Sequence, residues 1–217
     1  FALFLPAALM FSTELSATPT PAAQITQIPE KVQVGVMHFP PYFVVENNFK
    51  VLGGYFVDYV KMAFTKAGVE YEIKGYPAKR LYQNLGEGTV QAFVGLIGVP
   101  EYDGKTLVSP EKIAEVVLEI YSIEVSNSNS PAIQSIEDLI GKSVIVINGY
   151  TYGGLKTFVD DPKNKITVME TSNYDSALSM LAAGRAPYML GYKEVTDEAL
   201  AVGKINRLKR FVIKILP

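Results

Sequence analysis

The sequence predicts an α/β protein of two lobes, each with a mostly parallel sheet. Three observations carry this. From Val32 onward, short apolar runs alternate with segments of helical period. The alternation breaks near 110–130, at the polar stretch "SNSNSPA" (126–132), and then restarts. The chain of 217 residues is 48% hydrophobic and 19% charged, a core-forming composition long enough for two small lobes. Strands that alternate with helices form parallel sheets covered by helices on both faces.

In the first series, "VQVGVM" (32–37) reads as a buried strand. "YFVDYVKMAFTKAG" (55–68) has helical periodicity and stops on Gly68. "VEYEIKGY" (69–76) is a strand, "AKRLYQNLGEG" (78–88) a short helix closed by glycines, and "VQAFVGLI" (90–97) a buried strand. The segment "EVVLEIYSIEV" (115–125), rich in β-branched residues, leads to the break. In the second series "IEDLIG" is a helical turn, "SVIVI" (143–147) a strand, and "YGGLKTFVDD" the start of a helix. "KITVME" (165–170), a helix over 172–184, "APYMLG" (186–191), a helix over 193–203 and "LKRFVIKIL" (208–216) complete the series.

Composition excludes several function classes. A formal net charge of −2, with no basic run, gives no electrostatic footprint for nucleic acid or a membrane surface. The absence of cysteine rules out disulfides, thiol nucleophiles and thiolate metal sites. With one histidine, His38, no metal centre and no cofactor are expected. The amino-terminal "FALFLPAALMF" has the length of a signal-peptide core and is too short to span a bilayer. Small residues suited to cleavage follow, so residues 1–23 are expected to be the remnant of an export signal. The first lobe is then expected over 24–118 and the second over 119–217, with export to the periplasm.

Ligands of open parallel sheets sit beyond the carboxyl ends of the strands. That directs attention to the segments after "VQVGVM", "VQAFVGLI", "SVIVI" and "APYMLG". The turn "NGYTYGGLKT" (148–157) nearly matches a phosphate-binding loop: Gly149 and Gly154 are correctly spaced. Lys156 and Thr157 come one position late, however, and one helical residue rotates a side chain by roughly 100°. The turn is therefore either a helix start that holds a carboxylate-like group or a plain strand-to-helix connector. Phe39 and Tyr42 in "FPPYF" can wall a pocket or plug a sheet edge. Arg80 can anchor an anion or make a surface ion pair. No G-x-S-x-G elbow occurs and no carboxylate pair follows a central strand, so no catalytic residue is expected.

Taken in order, "VGVMHFPPYFV", "LGGYFVDYVKMAF", "YPAKRLYQNLGEG", "VSPEKI", "IEDLIGKSVIVINGYTYG" and "ALSMLAAGRAPYML" resemble the periplasmic solute-binding proteins of the polar amino acid ABC transporter family, over residues 32–205. The Gly-Tyr-x-Tyr-Gly turn is most similar to a divergent branch. The resemblance implies two Rossmann-like lobes of the type 2 periplasmic-binding kind, joined by crossover strands and closing by hinge motion on a solute held in the cleft. It implies a first-lobe aromatic wall at Met37–Phe39 with Tyr42. It also implies a loop at Gly95–Gly98 that binds an amino group, a helix-start Thr151 after Gly149 and Tyr150 that binds a carboxylate, and Tyr192 where an aspartate usually takes an ammonium. Tyr102 or Asp103 stands where the family has an arginine, and Gln91 and Pro187 replace two usual aspartates.

The implied ligand-binding set is Phe39, Tyr42, Arg80, Gly95, Tyr102, Gly149, Tyr150, Thr151 and Tyr192. The implied function is that of a monomeric periplasmic solute-binding protein serving an ABC permease, or a signalling receptor. A dehydratase-like enzyme on the same fold and a sensor or interaction module are the alternatives. Family members return to the first lobe after the last strand of the second. The chain ends at "FVIKILP", so that return is expected to be missing.

Overall fold

A computed structural model describes residues 2–6, 30–123, 133–202 and 208–213. The chain divides into two compact units. One comprises Phe1–His38 and Tyr42–Ala114; the other comprises Phe39–Pro41 and Glu115–Pro217.

The first unit contains β1 (Ala2–Pro6), β2 (Val32–Val36), the short hairpin β3 (Val44–Val45) and β4 (Val51–Gly53), α1 (Tyr55–Ala67), β5 (Tyr71–Gly75), α2 (Ala78–Gly86), β6 (Phe93–Gly95) and β7 (Thr106–Val108). Helix α1 buries Phe56, Val57, Val60 and Phe64, one stripe at helical spacing, and stops at left-handed Gly68. Its start rests on Gly54. The Phe56 N–H donates to the Tyr42 carbonyl at 3.0 Å, and a Cβ at position 54 would collide with that carbonyl. Strands β5 and β2 pair in parallel, and β2 is bridged in parallel at Val34 to Ala92, just before β6. Strand β1 lies antiparallel between β6 and β7. The order is thus β5-β2-β6-β1-β7.

The second unit contains β8 (Leu118–Ile123), a 3-10 turn (Ile136–Leu139), β9 (Ser143–Ile147), a 3-10 turn (Tyr152–Gly154), α3 (Leu155–Asp160), β10 (Thr167–Thr171), α4 (Tyr174–Ala182), β11 (Tyr188–Tyr192), α5 (Lys193–Val202) and β12 (Leu208–Ile213). Its sheet runs β10-β9-β11-β8-β12. Strands β9, β10 and β11 are mutually parallel, and β8 lies antiparallel between β11 and β12. Val144 to Ile147 and all of β11 are buried, which explains why these runs are apolar throughout. The two units therefore share one plan: three parallel positions, an inserted antiparallel strand, and an outer strand.

Four features depart from the sequence expectation. Residues 2–6, read as part of an export signal, form β1; the rest of that segment, 7–29, lies outside the described residues. A short apolar run fits a signal core and a strand equally well, so periodicity alone does not separate them. The hairpin β3–β4 and strand β7 are too short to carry a period. The strand expected over 90–97 is confined to Phe93–Gly95. The helix expected from Tyr152 begins as a 3-10 turn and becomes α-helical only at Leu155.

Candidate functional site

The second unit gathers an aromatic group at the carboxyl ends of β9 and β11, which are parallel neighbours. After Ile147 the chain turns at Asn148, whose N–H donates to the Thr171 carbonyl (2.8 Å), and at left-handed Gly149. Tyr152 follows with a φ of 51°, a left-handed conformation that an L side chain rarely adopts. Its own hydroxyl offsets the cost: it accepts the Ile147 N–H at 2.6 Å, tying the turn back to the strand that launched it. Its ring stacks on Tyr192, the last residue of β11, with centroids 5.6 Å apart. Tyr174, at the start of α4, does the same for the neighbouring strand, its hydroxyl accepting the Tyr192 N–H at 3.0 Å. Tyr150 sits among Phe39, Tyr152, Tyr174 and Tyr192, with centroids 5.7 to 6.1 Å away. Phe39 meets Tyr192 edge-on at 5.2 Å. Burial pushes the Tyr152 and Tyr174 phenols well above their ordinary values, so both stay protonated and neither is a base at physiological pH.

Two buried polar atoms in this region have no hydrogen-bond partner among the described residues: Thr151 Oγ1 and Glu194 Oε2. The nearby cations are committed elsewhere. Lys156 Nζ holds Asp160 at 2.6 Å and Glu170 at 3.1 Å. Lys193 Nζ holds Asp197 at 3.0 Å, and Arg210 pairs with the same carboxylate. Among the described residues no cluster of histidines and carboxylates could hold a metal ion, and no helix is long and apolar enough to cross a membrane.

Solved structures of similar shape exist. An ancestral arginine-binding protein bound to arginine superposes with a TM-score of 0.65 at 22% identity, covering 84% of this chain and 78% of the other. The substrate-binding protein of an amino acid ABC transporter gives 0.58 at 18% identity, with 85% and 79% covered. A histidine kinase sensor domain similar to periplasmic binding proteins gives 0.63 at 18% identity, with 86% and 78% covered. The chain has the type 2 periplasmic-binding fold. No protein-family model and no curated protein matches it.

On this fold, the expected site residues fall into two groups. Phe39, Gly149, Tyr150, Thr151 and Tyr192 come together in the second unit. Tyr42, Arg80, Gly95 and Tyr102 lie in the first. Tyr42 is half-buried and stacks on Phe56 at 4.7 Å. Arg80 is exposed in the first turn of α2. Gly95 is buried at the end of β6, opposite Ala2 of β1. Tyr102 sits in the core of the first unit. It is wholly buried against Tyr82 and Phe93, and its hydroxyl donates to the Leu96 carbonyl at 2.6 Å. It is core because a buried phenol needs an acceptor and finds one six residues back. His38 is exposed, and its Nδ1 accepts the Val45 N–H at 3.2 Å. Sequence reasoning did not single out Tyr152 and Tyr174 as members of the second-unit group. The Gly-Tyr-x-Tyr-Gly turn was the signal that could have found Tyr152; nothing local distinguished Tyr174.

Proposed function

We propose that this is an exported solute-binding protein without catalytic activity, which captures a small solute and presents it to an ABC-type importer. The observation that carries this is the aromatic group at the carboxyl edge of β9 and β11, where open parallel sheets take their ligands. The likeness in fold to an arginine-binding protein and to an amino acid transporter component supports it. A second reading, a sensor domain that binds solute for signalling, is compatible with the likeness in fold to a kinase sensor domain. The two readings share the capture step and differ in the membrane partner, which in-cell cross-linking to the neighbouring permease or kinase separates.

Native mass spectrometry of the purified protein tests the capture step, with a co-purified small molecule as the expected result. The identified solute should stabilise the fold by about 2.7 kcal/mol at a hundredfold excess over its dissociation constant. Ordinary α-amino acids are expected to bind weakly. A carboxylate brought to the second-unit site would find Lys156, Lys193 and Arg210 already paired. Calorimetry against the twenty amino acids checks this, and a micromolar constant for any of them would refute it.

A further inference from the structure

We propose that the first sheet holds a strand-acceptor slot, between β6 and β7, that binds an extended apolar segment of another polypeptide, and that β1 is a tethered stand-in for that ligand. The slot is separate from the aromatic group of the second unit and adds a polypeptide partner to the solute.

Strand β1 runs antiparallel to β6, with Ala2 opposite Gly95, Leu3 opposite Val94 and Phe4 opposite Phe93. It also runs antiparallel to β7, with Phe4 opposite Val108, Leu5 opposite Leu107 and Pro6 opposite Thr106. Strands β6 and β7 are therefore parallel to each other and two strand spacings apart, about 9.5 Å. That gap admits one extended chain. Without it, the facing N–H and C=O groups of both strands lose their partners. Residues 7–31 separate β1 from β2 in sequence, so the strand that fills the gap is joined directly to neither wall. The second unit is built differently at the matching place. There β8 lies between β11 and β12, and it starts three residues after the chain enters that unit at Glu115. Of the two sheets, the first is the one completed by a strand at the end of a long connection.

The slot also defines the chemistry of its occupant. Main-chain pairing supplies affinity, as when a peptide adds a strand to an open sheet edge. The cross-strand neighbours are Phe93, Val94 and Gly95 on one side, all buried, and Leu107 and Val108 on the other. A charged residue beside buried β6 would be desolvated without a partner, whereas the Ala-Leu-Phe-Leu-Pro sequence of β1 carries no charge. Proline stands in β1 at the last pair of the ladder, opposite Thr106. Phe4 is in register with both walls, so a proline there would take an N–H from the middle of the ladder. A tethered strand competes at an effective concentration on the order of millimolar, so a free peptide enters readily once β1 is weakened.

The test uses the full chain with β1 weakened rather than removed, as Phe4→Pro. The probe is a synthetic peptide of residues 2–7, Ala-Leu-Phe-Leu-Pro-Ala, with a fluorophore at its carboxyl end. Anisotropy is expected to show saturable binding to the Phe4→Pro chain, at least tenfold tighter than to the parent chain, whose own β1 fills the slot. The same peptide with proline in place of its phenylalanine should bind at least tenfold more weakly. A disulfide reads the register. The chain has no cysteine, so only introduced thiols can react. A peptide carrying Leu3→Cys should cross-link to a Phe4→Pro chain that also carries Val94→Cys. It should not cross-link to one that carries Thr167→Cys, on the exposed edge strand of the second sheet. If Phe4→Pro does not fold by itself, the peptide added during refolding should restore its circular dichroism. Failure to bind a folded Phe4→Pro chain, or to rescue an unfolded one, overturns the proposal. So does equal binding to the parent chain, equal binding of the two peptides, or cross-linking at Thr167 as readily as at Val94.

Discussion

Tyr152 carries a strained backbone whose cost its own side chain offsets. Replacing it with phenylalanine keeps the ring against Tyr192 and removes the acceptor of the Ile147 N–H. Leaving that buried donor unpaired is expected to cost about 1–3 kcal/mol, read by urea denaturation. Thr151 makes the opposite case. Its hydroxyl is buried without a partner, so Thr151→Val removes a group that contributes nothing to the ligand-free fold. The variant should be as stable as the parent or more so, and should bind the solute about tenfold more weakly, the usual loss of one hydrogen bond. A threonine that served only the fold would give the reverse pair of results. Asp138 is one residue where pH enters. Its carboxylate accepts the N–H groups of Gln134 (2.7 Å) and Ser135 (3.0 Å), which hold its pKa below the ordinary value. A depressed folded-state pKa gives stability that is present above about pH 4 and lost as pH falls through the folded value. The stability gap between Asp138→Asn and the parent should therefore close on acidification in pH-resolved denaturation.

At the scale of elements, α5, β8 and β12 share a polar cluster. Glu119 of β8 is only 4% exposed, and it accepts the Tyr121 hydroxyl at 2.6 Å. The Arg210 guanidinium lies 5.7 Å from the Tyr121 ring centroid and also pairs with Asp197 of α5. Tyr121→Phe takes the hydroxyl donor from a buried carboxylate and should cost about 1.5–3 kcal/mol by chemical denaturation. Of these elements, the sequence displayed what was long and periodic. Helix α1 announced itself through Phe56, Val60 and Phe64, and strands β9 and β11 through unbroken apolar runs. It did not display the hairpin at Val44–Gly53, whose strands of two and three residues have no period to read. Nor did it display that Tyr102 points into a core while Tyr150 joins the second-unit group. Both are tyrosines after a strand, and only the tertiary position of an acceptor such as the Leu96 carbonyl separates them.

At the scale of the whole molecule, the common plan of the two units was only half legible. The repeated alternation of strand and helix predicts two sheets. The inserted antiparallel strand in each comes from a distant part of the sequence and leaves no local mark. In the second unit that strand is β8; in the first it is β1, which pairs with β6 and β7 on its two sides. Removing residues 1–6 is expected to open unpaired N–H and C=O groups on both of those strands. The first unit should then unfold ahead of the second, splitting one calorimetric transition into two. A single transition, unshifted from that of the whole chain, would mean that β1 contributes nothing to the first sheet.

The two strand ends capped by phenols also provide a clock. The amide protons of Ile147 and Tyr192 are covered by the Tyr152 and Tyr174 hydroxyls rather than by a neighbouring strand. They can trade with deuterium only when those side chains swing away. Their exchange rates, followed by NMR, report how often the aromatic group opens in the absence of any solute. A solute that docks against the rings should slow both amides together, even before its chemical identity is known.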